Sequence, residues 1–540
     1  MKKSSIIGVL FIFSVLINLP FLSQAFHIDD SFNLYIARQI NHDPANPYNE
    51  NIVYNGLLQK IYQVNANPPL DDYILAFFVR MFGEHEIPLH LCFLIFPFFI
   101  GIFMFLLSME FLEDARIALI AAVLLLVSPA VVVMSHVIMP DIPLLCFYLA
   151  AVYFFLKGES QPFFYLLAGV FAALACLTKY TGITLIPLFA LCLFFKQNAR
   201  RAIPWFAVVI PILALYGWYL WSLCLYSSHY WTTLASLETG RDKVLRILMH
   251  FMANIVYIGG CSVFPLSLLY MDWRPVLKRF FIAGIIALYY AAFLHLNFDH
   301  SLIQAVFVGV LAFVTFSFLI VNLGHLKTWL LARSMRLFLF FWIVEVLVFN
   351  SFFLHTAVKY NILCIPAVIL LFILTFRDSL WPKGLAFLLL TTILTGILSF
   401  SVAVGDEKFA NCYREYARKI YSQYKNENNQ VYFTGHWGWE YYLSQQGARP
   451  LLSLGYNNIQ AGDIIVIPSI PWPQPVSKTL QNRLRLIEDI PVNSRYPLRT
   501  MNGFAKAFFY ANYNFPHFTG ALPYSFSVTP LEHFDIYQVQ

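Results

Sequence analysis

Charge is what this chain has least of. Asp, Glu, Lys and Arg make up 12% of its 540 residues, where a soluble domain averages about 25%. With 59% hydrophobic residues it cannot cover itself with a water-compatible surface, so most of its length must lie in lipid. Paired cysteines are also missing. Seven of the eight (Cys92, Cys146, Cys176, Cys192, Cys224, Cys261 and Cys364) fall in or beside apolar spans and read as small buried hydrophobes. Cys412 stands alone in the polar C-terminal stretch, which excludes a disulfide framework there, and no Cys/His spacing of zinc type occurs. No GxGxxG or Walker motif is present, so a nucleotide-linked donor is not supported. The net charge of +6 is scattered and no Lys/Arg tract carries interleaved aromatics, so nucleic acid is not an expected partner. Fixed-period repeats and low-complexity tracts are absent as well.

What is present is a series of apolar runs from the N-terminus to about residue 404, most of them long enough for a hydrocarbon core about 30 Å thick, the fifth and sixth being short. Spans are expected near 5–26, 88–111, 116–134, 142–157, 163–178, 181–196, 203–226, 249–270, 279–295, 301–322, 336–354, 360–376 and 384–404. The first resembles a secretory signal, but its apolar core is long, and it reads as an uncleaved helix. If Lys2-Lys3 is cytoplasmic, Arg116, Lys157, Lys196, Arg200, Arg201, Arg274, Lys278, Arg279, Lys327, Arg333, Arg336, Arg377 and Lys383 share that side. Most acids fall opposite. The expected fold is therefore a polytopic α-helical membrane protein of about thirteen spans, residues 1–404, with the N-terminus cytoplasmic. Residues 405–540 are expected to form an α/β domain outside, the C-terminus with it. Its strand signals are 430–433, 463–468 and 533–539, and its helix signal is 440–446, stopped by Gly447. The outer loop 27–87 carries expected surface helices at 30–42 and 52–62, and a Pro-initiated interfacial segment from Pro68 to Phe82.

The suspicious polar residues all land on the outer side. Asp29-Asp30 follow the first span. Asn67-Pro68-Pro69-Leu70-Asp71-Asp72 precede the second, and Met139-Pro140-Asp141-Ile142-Pro143-Leu144 opens the fourth. Thr178-Lys179-Tyr180-Thr181 turns between two short apolar segments, and His355 to Tyr360 begins the twelfth span. Ionisable groups at the ends of apolar helices are functional candidates, since each costs a few kcal/mol if it must face lipid.

Taken in order, these segments resemble the bacterial GT-C glycosyltransferases of family 39, which include protein O-mannosyltransferases and the aminoarabinose transferases that modify lipid A. Asp29-Asp30 resembles that family's Asp-Glu, Pro68-Pro69-Leu70 its His-Pro-Pro-Leu with Asn67 for His, and Met139-Pro140-Asp141-Ile142-Pro143-Leu144 its Thr-Asp-Xaa-Pro-Leu. Leu177-Thr178-Lys179-Tyr180-Thr181 is similar to its Leu-Thr-Lys-Tyr-Thr turn, and Lys359-Tyr360 to Pro366 resembles its Arg-Tyr…Pro element. The resemblance implies transfer of a sugar from a polyprenyl-phosphate carrier to a lipid, glycan or protein acceptor. The reaction would run with inversion at the outer face of a bacterial inner membrane. It implies Asp29 as general base, with Asp30 and Asp141 beside it, and Asn67, Lys179, Tyr180, Lys359 and Tyr360 binding substrate. The leaving lipid phosphate needs cations, and Lys179 and Lys359 are available. A divalent metal near Asp30 or Asp141 is a further expectation, without a complete ligand set.

Each residue also has a plainer reading. Asp29 could be a solvated helix end, Asp30 an acid stabilising the next helix, and Asp141 an N-cap before Pro143. Lys179 and Lys359 could be snorkelling lysines. Asp71-Asp72 read by default as the charged face of an interfacial helix, Glu84-His85-Glu86 as a solvated turn that could otherwise bind metal, and His436-Trp437-Gly438-Trp439 as packing that could otherwise bind sugar. A lipid-linked-sugar flippase or an oligosaccharide ligase are the competing functions. A flippase would favour midplane charges and repeated halves, which this chain does not show.

Overall fold

The computed structural model describes residues 3–65, 67–196, 200–227, 241–261, 277–353, 356–380, 384–453, 458–512 and 520–540. His355 and the end of the expected span 249–270 lie outside them. Among the described residues five helices are long and apolar enough to cross a membrane: Glu86–Leu112, Ile203–Tyr226, Leu277–Asn297, Leu302–Leu323 and Gly384–Tyr424. Shorter apolar helices of 10–17 residues pack among them. Their outward faces are bare hydrocarbon, with Leu288 72% and Leu296 78% exposed, a surface that lipid satisfies and water does not. Their inward faces close on small residues. A Cβ on Gly169 would lie 2.5 Å from the Phe206 carbonyl oxygen, and one on Gly259 2.2 Å from that of Leu311, so glycine is what lets these helix pairs touch.

Three elements differ from expectation. The segment expected as a surface helix at 52–62 is a β-hairpin, Asn51–Tyr54 paired with Leu57–Lys60, followed by a short 3₁₀ turn. Asn55 and Gly56 both take positive φ (52° and 72°), the geometry an Asn-Gly hairpin turn requires. The expected span 116–134 is broken into Ala115–Leu126 and Pro129–Met134, with Pro129 opening the second piece.

The expected final span does not stop at 404. Gly384–Tyr424 is one helix of 41 residues, about 60 Å long at 1.5 Å per residue. Beyond it lies a five-stranded mixed sheet in the order Arg449–Pro450, Val431–Phe433, Ile464–Pro468, Glu532–Val539, Leu484–Val492. The first three strands are mutually parallel and the last two antiparallel to their neighbours. Helix Trp437–Gln446 crosses between the first two strands in sequence and ends at Gly447, whose φ of 97° closes it. Trp439 is buried, stacked on Phe534 at 4.4 Å with its indole N–H on the Thr434 carbonyl.

The C-terminal region is bolted to the segment 23–86 that follows the first helix. Tyr442 Oη accepts from the Phe26 amide (2.8 Å) and donates to Glu86 (2.8 Å), and Arg414 donates to Glu86 and to the Ser23 carbonyl. Glu84 is taken by Arg38 and by Tyr441. Glu84 and Glu86 are thus docking residues. Gly438 meets the same seam: a Cβ there would lie 2.2 Å from the Phe26 carbonyl oxygen. Gly438→Ala is therefore expected to force the seam apart at a cost of about 1–3 kcal/mol. Thermal unfolding in detergent should show a lower Tm, and limited proteolysis should show faster cutting between residues 23 and 29.

Candidate active site

The chain leaves its first helix (Lys3–Asn18) and reaches Asp29 through Ile28, a β-branched residue held at φ 49°. Such a conformation is costly and persists only where the surroundings enforce it. Asp29 then occupies the N-cap position of helix Asp30–His42 but makes no cap hydrogen bond with its side chain. Its carboxylate reaches outward instead, to Lys359 Nζ at 3.0 Å. The Asp29 side chain is 45% exposed and that of Lys359 only 7%. Burial would depress the Lys359 ammonium, but Asp29 and Asp141 outweigh it and hold the group above an ordinary lysine.

Lys359 rides on the 3₁₀ turn Val358–Leu363. That turn is tied by Asn350 to the Tyr360 carbonyl (2.8 Å) and by Asn361 to Asn254 (2.8 Å), and Thr356 just before it donates to the same Asn254 oxygen. From the other side the Val358 amide donates to Phe509 and the Asn512 amide to Thr356, so the C-terminal region also pins this turn.

Lys179 follows helix Phe163–Thr178 with extended backbone (φ −158°) and turns inward. Its Nζ is 2.8 Å from Asp141 Oδ1, both side chains being buried, and 4.7 Å from the centre of the Tyr360 ring. Lys359 Nζ is 5.9 Å from the same ring, so one aromatic ring serves two ammonium groups. Burial and the neighbouring Lys359 pull the Lys179 ammonium below an ordinary lysine, and Asp141 resists them. Gly182 lets the following turn lie on the Ala175 backbone, which a Cβ would approach to 2.7 Å.

Asp29, Asp141, Lys179, Lys359 and Tyr360, far apart in sequence, thus form one cluster. The other residues singled out by sequence stand around it. Asp30 is turned away: its two oxygens accept the His27 and Ile138 amides (2.8 and 2.9 Å), and burial, with Asp29 and Asp406 nearby, raises its carboxyl well above the usual range. The Tyr180 hydroxyl accepts from Trp218 Nε1 (2.9 Å). The Asn67 carbonyl accepts from the Tyr48 hydroxyl (2.8 Å). Tyr48, Tyr62, Trp218 and Tyr226 make an aromatic wall that no sequence signal marked, since none sits in a motif. Asp71, whose default reading is the charged face of an interfacial helix, is instead buried. It is 2% exposed and lies in the field of Asp141 and Lys179; burial and Asp141 push its carboxyl up to about 8. His436 stacks on Tyr54 of the hairpin and accepts from the Asn55 amide, so it packs the two regions together.

Asp29 and Asp141 are each engaged by an ammonium group and Asp30 by two amides. Among the described residues no group of three or more His, Cys, Asp and Glu side chains is placed to hold a metal.

Residues 66–221 match the family model described as dolichyl-phosphate-mannose-protein mannosyltransferase. Over that stretch the chain is similar to a glycosyltransferase family. The stretch holds Asn67, Asp71, Asp141, Lys179 and Tyr180, while Asp29 and Lys359 lie outside it. None of the curated proteins matches. Among solved structures, apo ArnT from Cupriavidus metallidurans is 14% identical, with 86% of this chain and 93% of that one covered and a TM-score of 0.43. The same protein bound to undecaprenyl phosphate is 15% identical, with 90% and 95% covered and a TM-score of 0.42. The apo oligosaccharyltransferase of Archaeoglobus fulgidus is 14% identical, with 87% and 70% covered and a TM-score of 0.43. These are distant likenesses.

The two ion pairs should respond differently to loss of their lysine. Lys179→Met strands a buried Asp141 charge, a change that typically costs about 3–5 kcal/mol. Lys359→Met leaves Asp29 facing water and should cost well under half of that, read as the two Tm shifts in detergent. Asp71 supplies a pH test. Its folded value lies above the unfolded one of about 3.9, so between roughly pH 4 and 8 the folded chain holds a proton that the unfolded chain has released. Its contribution to stability therefore falls as pH rises through that window. Asp71→Asn should exceed the wild type in Tm by a margin that grows from pH 5 to pH 8.

Proposed function

We propose that this chain is an integral membrane glycosyltransferase that moves a sugar from a polyprenyl-phosphate carrier to an acceptor hydroxyl or phosphate, with inversion. The observation that carries this reading is a half-exposed carboxylate, Asp29, held 3.0 Å from a buried ammonium, Lys359, with a second ammonium, Lys179, against the same tyrosine ring. Two cations in a water-poor site suit the phosphate of a lipid carrier. The description of the family model over residues 66–221, which names a polyprenyl-type phosphate sugar as donor, supports the same substrate class.

The steps follow from the charges. The donor phosphate takes Asp29's place on Lys359 and shares Lys179. Asp29, released, accepts the proton of the acceptor O–H. The acceptor oxygen bonds to the anomeric carbon as the bond from that carbon to the phosphate oxygen breaks, and the electron pair leaves with the polyprenyl phosphate. The added negative charge develops beside both ammonium groups. Asp30, bonded to two amides, is a positioning residue that fixes the turn carrying Asp29.

Residues 1–404 would form the membrane-embedded unit and 405–540 an extracytoplasmic one. The catalytic cluster would open to the outer face of a bacterial plasma membrane and the N-terminus would lie in the cytoplasm. Lipids, glycans and proteins of the envelope are the acceptor classes that such a face meets.

The test is release of undecaprenyl phosphate from a panel of undecaprenyl-phosphate sugars, with an envelope acceptor fraction, by purified protein. Asp29→Asn should lower the rate by about 10²–10⁴, the usual worth of a general base. An Asp29→Asn protein with wild-type Tm and full rate would sink the assignment.

A further inference from the structure

Asp71 is an anomaly as a structural residue. It sits in the first turn of helix Leu70–Phe82, behind Pro68-Pro69, and is 2% exposed. Among the described residues neither of its carboxylate oxygens has a hydrogen-bond partner. Buried polar groups are paired in the great majority of cases, because an unpaired one forfeits its hydration for nothing. Asp141 shows half of the same pattern: Oδ1 is held by Lys179, while Oδ2 is buried and has no partner among the described residues. Three oxygens on two electrostatically coupled carboxyl groups, both in the field of Lys179, thus have no hydrogen-bond partner among the described residues.

The chemistry of the missing partner is constrained. An anion is excluded on the carboxylate side by repulsion, and the phosphate already has Lys179 and Lys359. What those oxygens want is a hydrogen-bond donor attached close to the phosphate. In a polyprenyl-phosphate sugar that is the sugar ring. We infer that Asp71 and the second oxygen of Asp141 form a subsite that grips a hydroxyl or amino group on the sugar of the donor, and so selects it. This rests on the donor class proposed above. The subsite sets the ring on the acidic side of Lys179 while the phosphate stays on the basic side, orienting the anomeric carbon between them. With its proton retained, Asp71 can donate as well as accept, which matches a hydroxyl.

Binding tests it without relying on turnover. Affinity of the full-length protein is measured for undecaprenyl phosphate, undecaprenyl-phosphate glucose and undecaprenyl-phosphate glucosamine, with wild type, Asp71→Ala and Asp71→Asn. Wild type should bind one sugar-bearing carrier at least about tenfold tighter than the bare carrier, the worth of a buried hydrogen bond to a charged or polar partner. Asp71→Ala should lose that increment and leave the bare-carrier affinity unchanged. Asp71→Asn, a neutral acceptor, should retain it for a hydroxyl contact and lose it for a cationic amine. Both variants should keep or raise Tm, because they remove an unpaired buried acid. An Asp71→Ala protein with the full increment, one equally weakened for the bare carrier, or a wild type that prefers no sugar-bearing carrier would each overturn the subsite. A chain that binds sugar through Asp71 but never releases undecaprenyl phosphate keeps the subsite and loses the transferase reading.

Discussion

Two buried ammonium groups flank one tyrosine ring, and that arrangement governs much of the structure. Neither Lys179 nor Lys359 could be buried alone, since an unpaired ion in a low-dielectric interior is prohibitively costly. Each therefore brings its own carboxylate, Asp141 for one and Asp29 for the other. The four charges come from four segments of the chain, and the backbone around each is fixed by its own device. Strain at Ile28 aims Asp29, and an extended residue between helix and 3₁₀ turn aims Lys179. A net of asparagines holds the turn of Lys359.

A second buried acid organises the layer behind the cluster. Asp406, on the long helix, accepts from Thr500 (2.7 Å) and Tyr510 (2.6 Å) and stands 3.7 Å from His27. Burial works against its charge, but His27, Thr500 and Tyr510 hold its carboxyl below the usual carboxylate range. One residue thus joins the C-terminal region, the long helix and the peptide just before Asp29. The C-terminal region touches the turn of Lys359 as well, through Phe509 and Asn512. Both halves of the half-exposed ion pair lean on the same body.

Much of this frame was legible in the sequence, for reasons that can be named. Helix Asp30–His42 carries its apolar residues on one face, and the strands at Val431–Phe433 and Ile464–Pro468 are short apolar runs bounded by turn residues. The hairpin at 51–60 was read as a helix because its polar and apolar residues pass for either period, and the Asn55-Gly56 turn that decides the matter is only two residues long. The continuation of the final helix past residue 404 was hidden by a change from apolar to charged composition, which marks the end of lipid but not the end of a helix. Asp71 was illegible for a deeper reason. A charged residue at the start of an amphipathic helix reads as solvent-facing, and only its burial in the folded chain reveals otherwise.

The helix Gly384–Tyr424 contains no proline and runs unbroken from the apolar bundle into the C-terminal sheet. A rod of that kind has no joint. The C-terminal contacts with the peptide before Asp29 and with the turn of Lys359 are therefore carried at the end of a continuous rod, so that a displacement of the rod at one end reaches both partners of the ion pair.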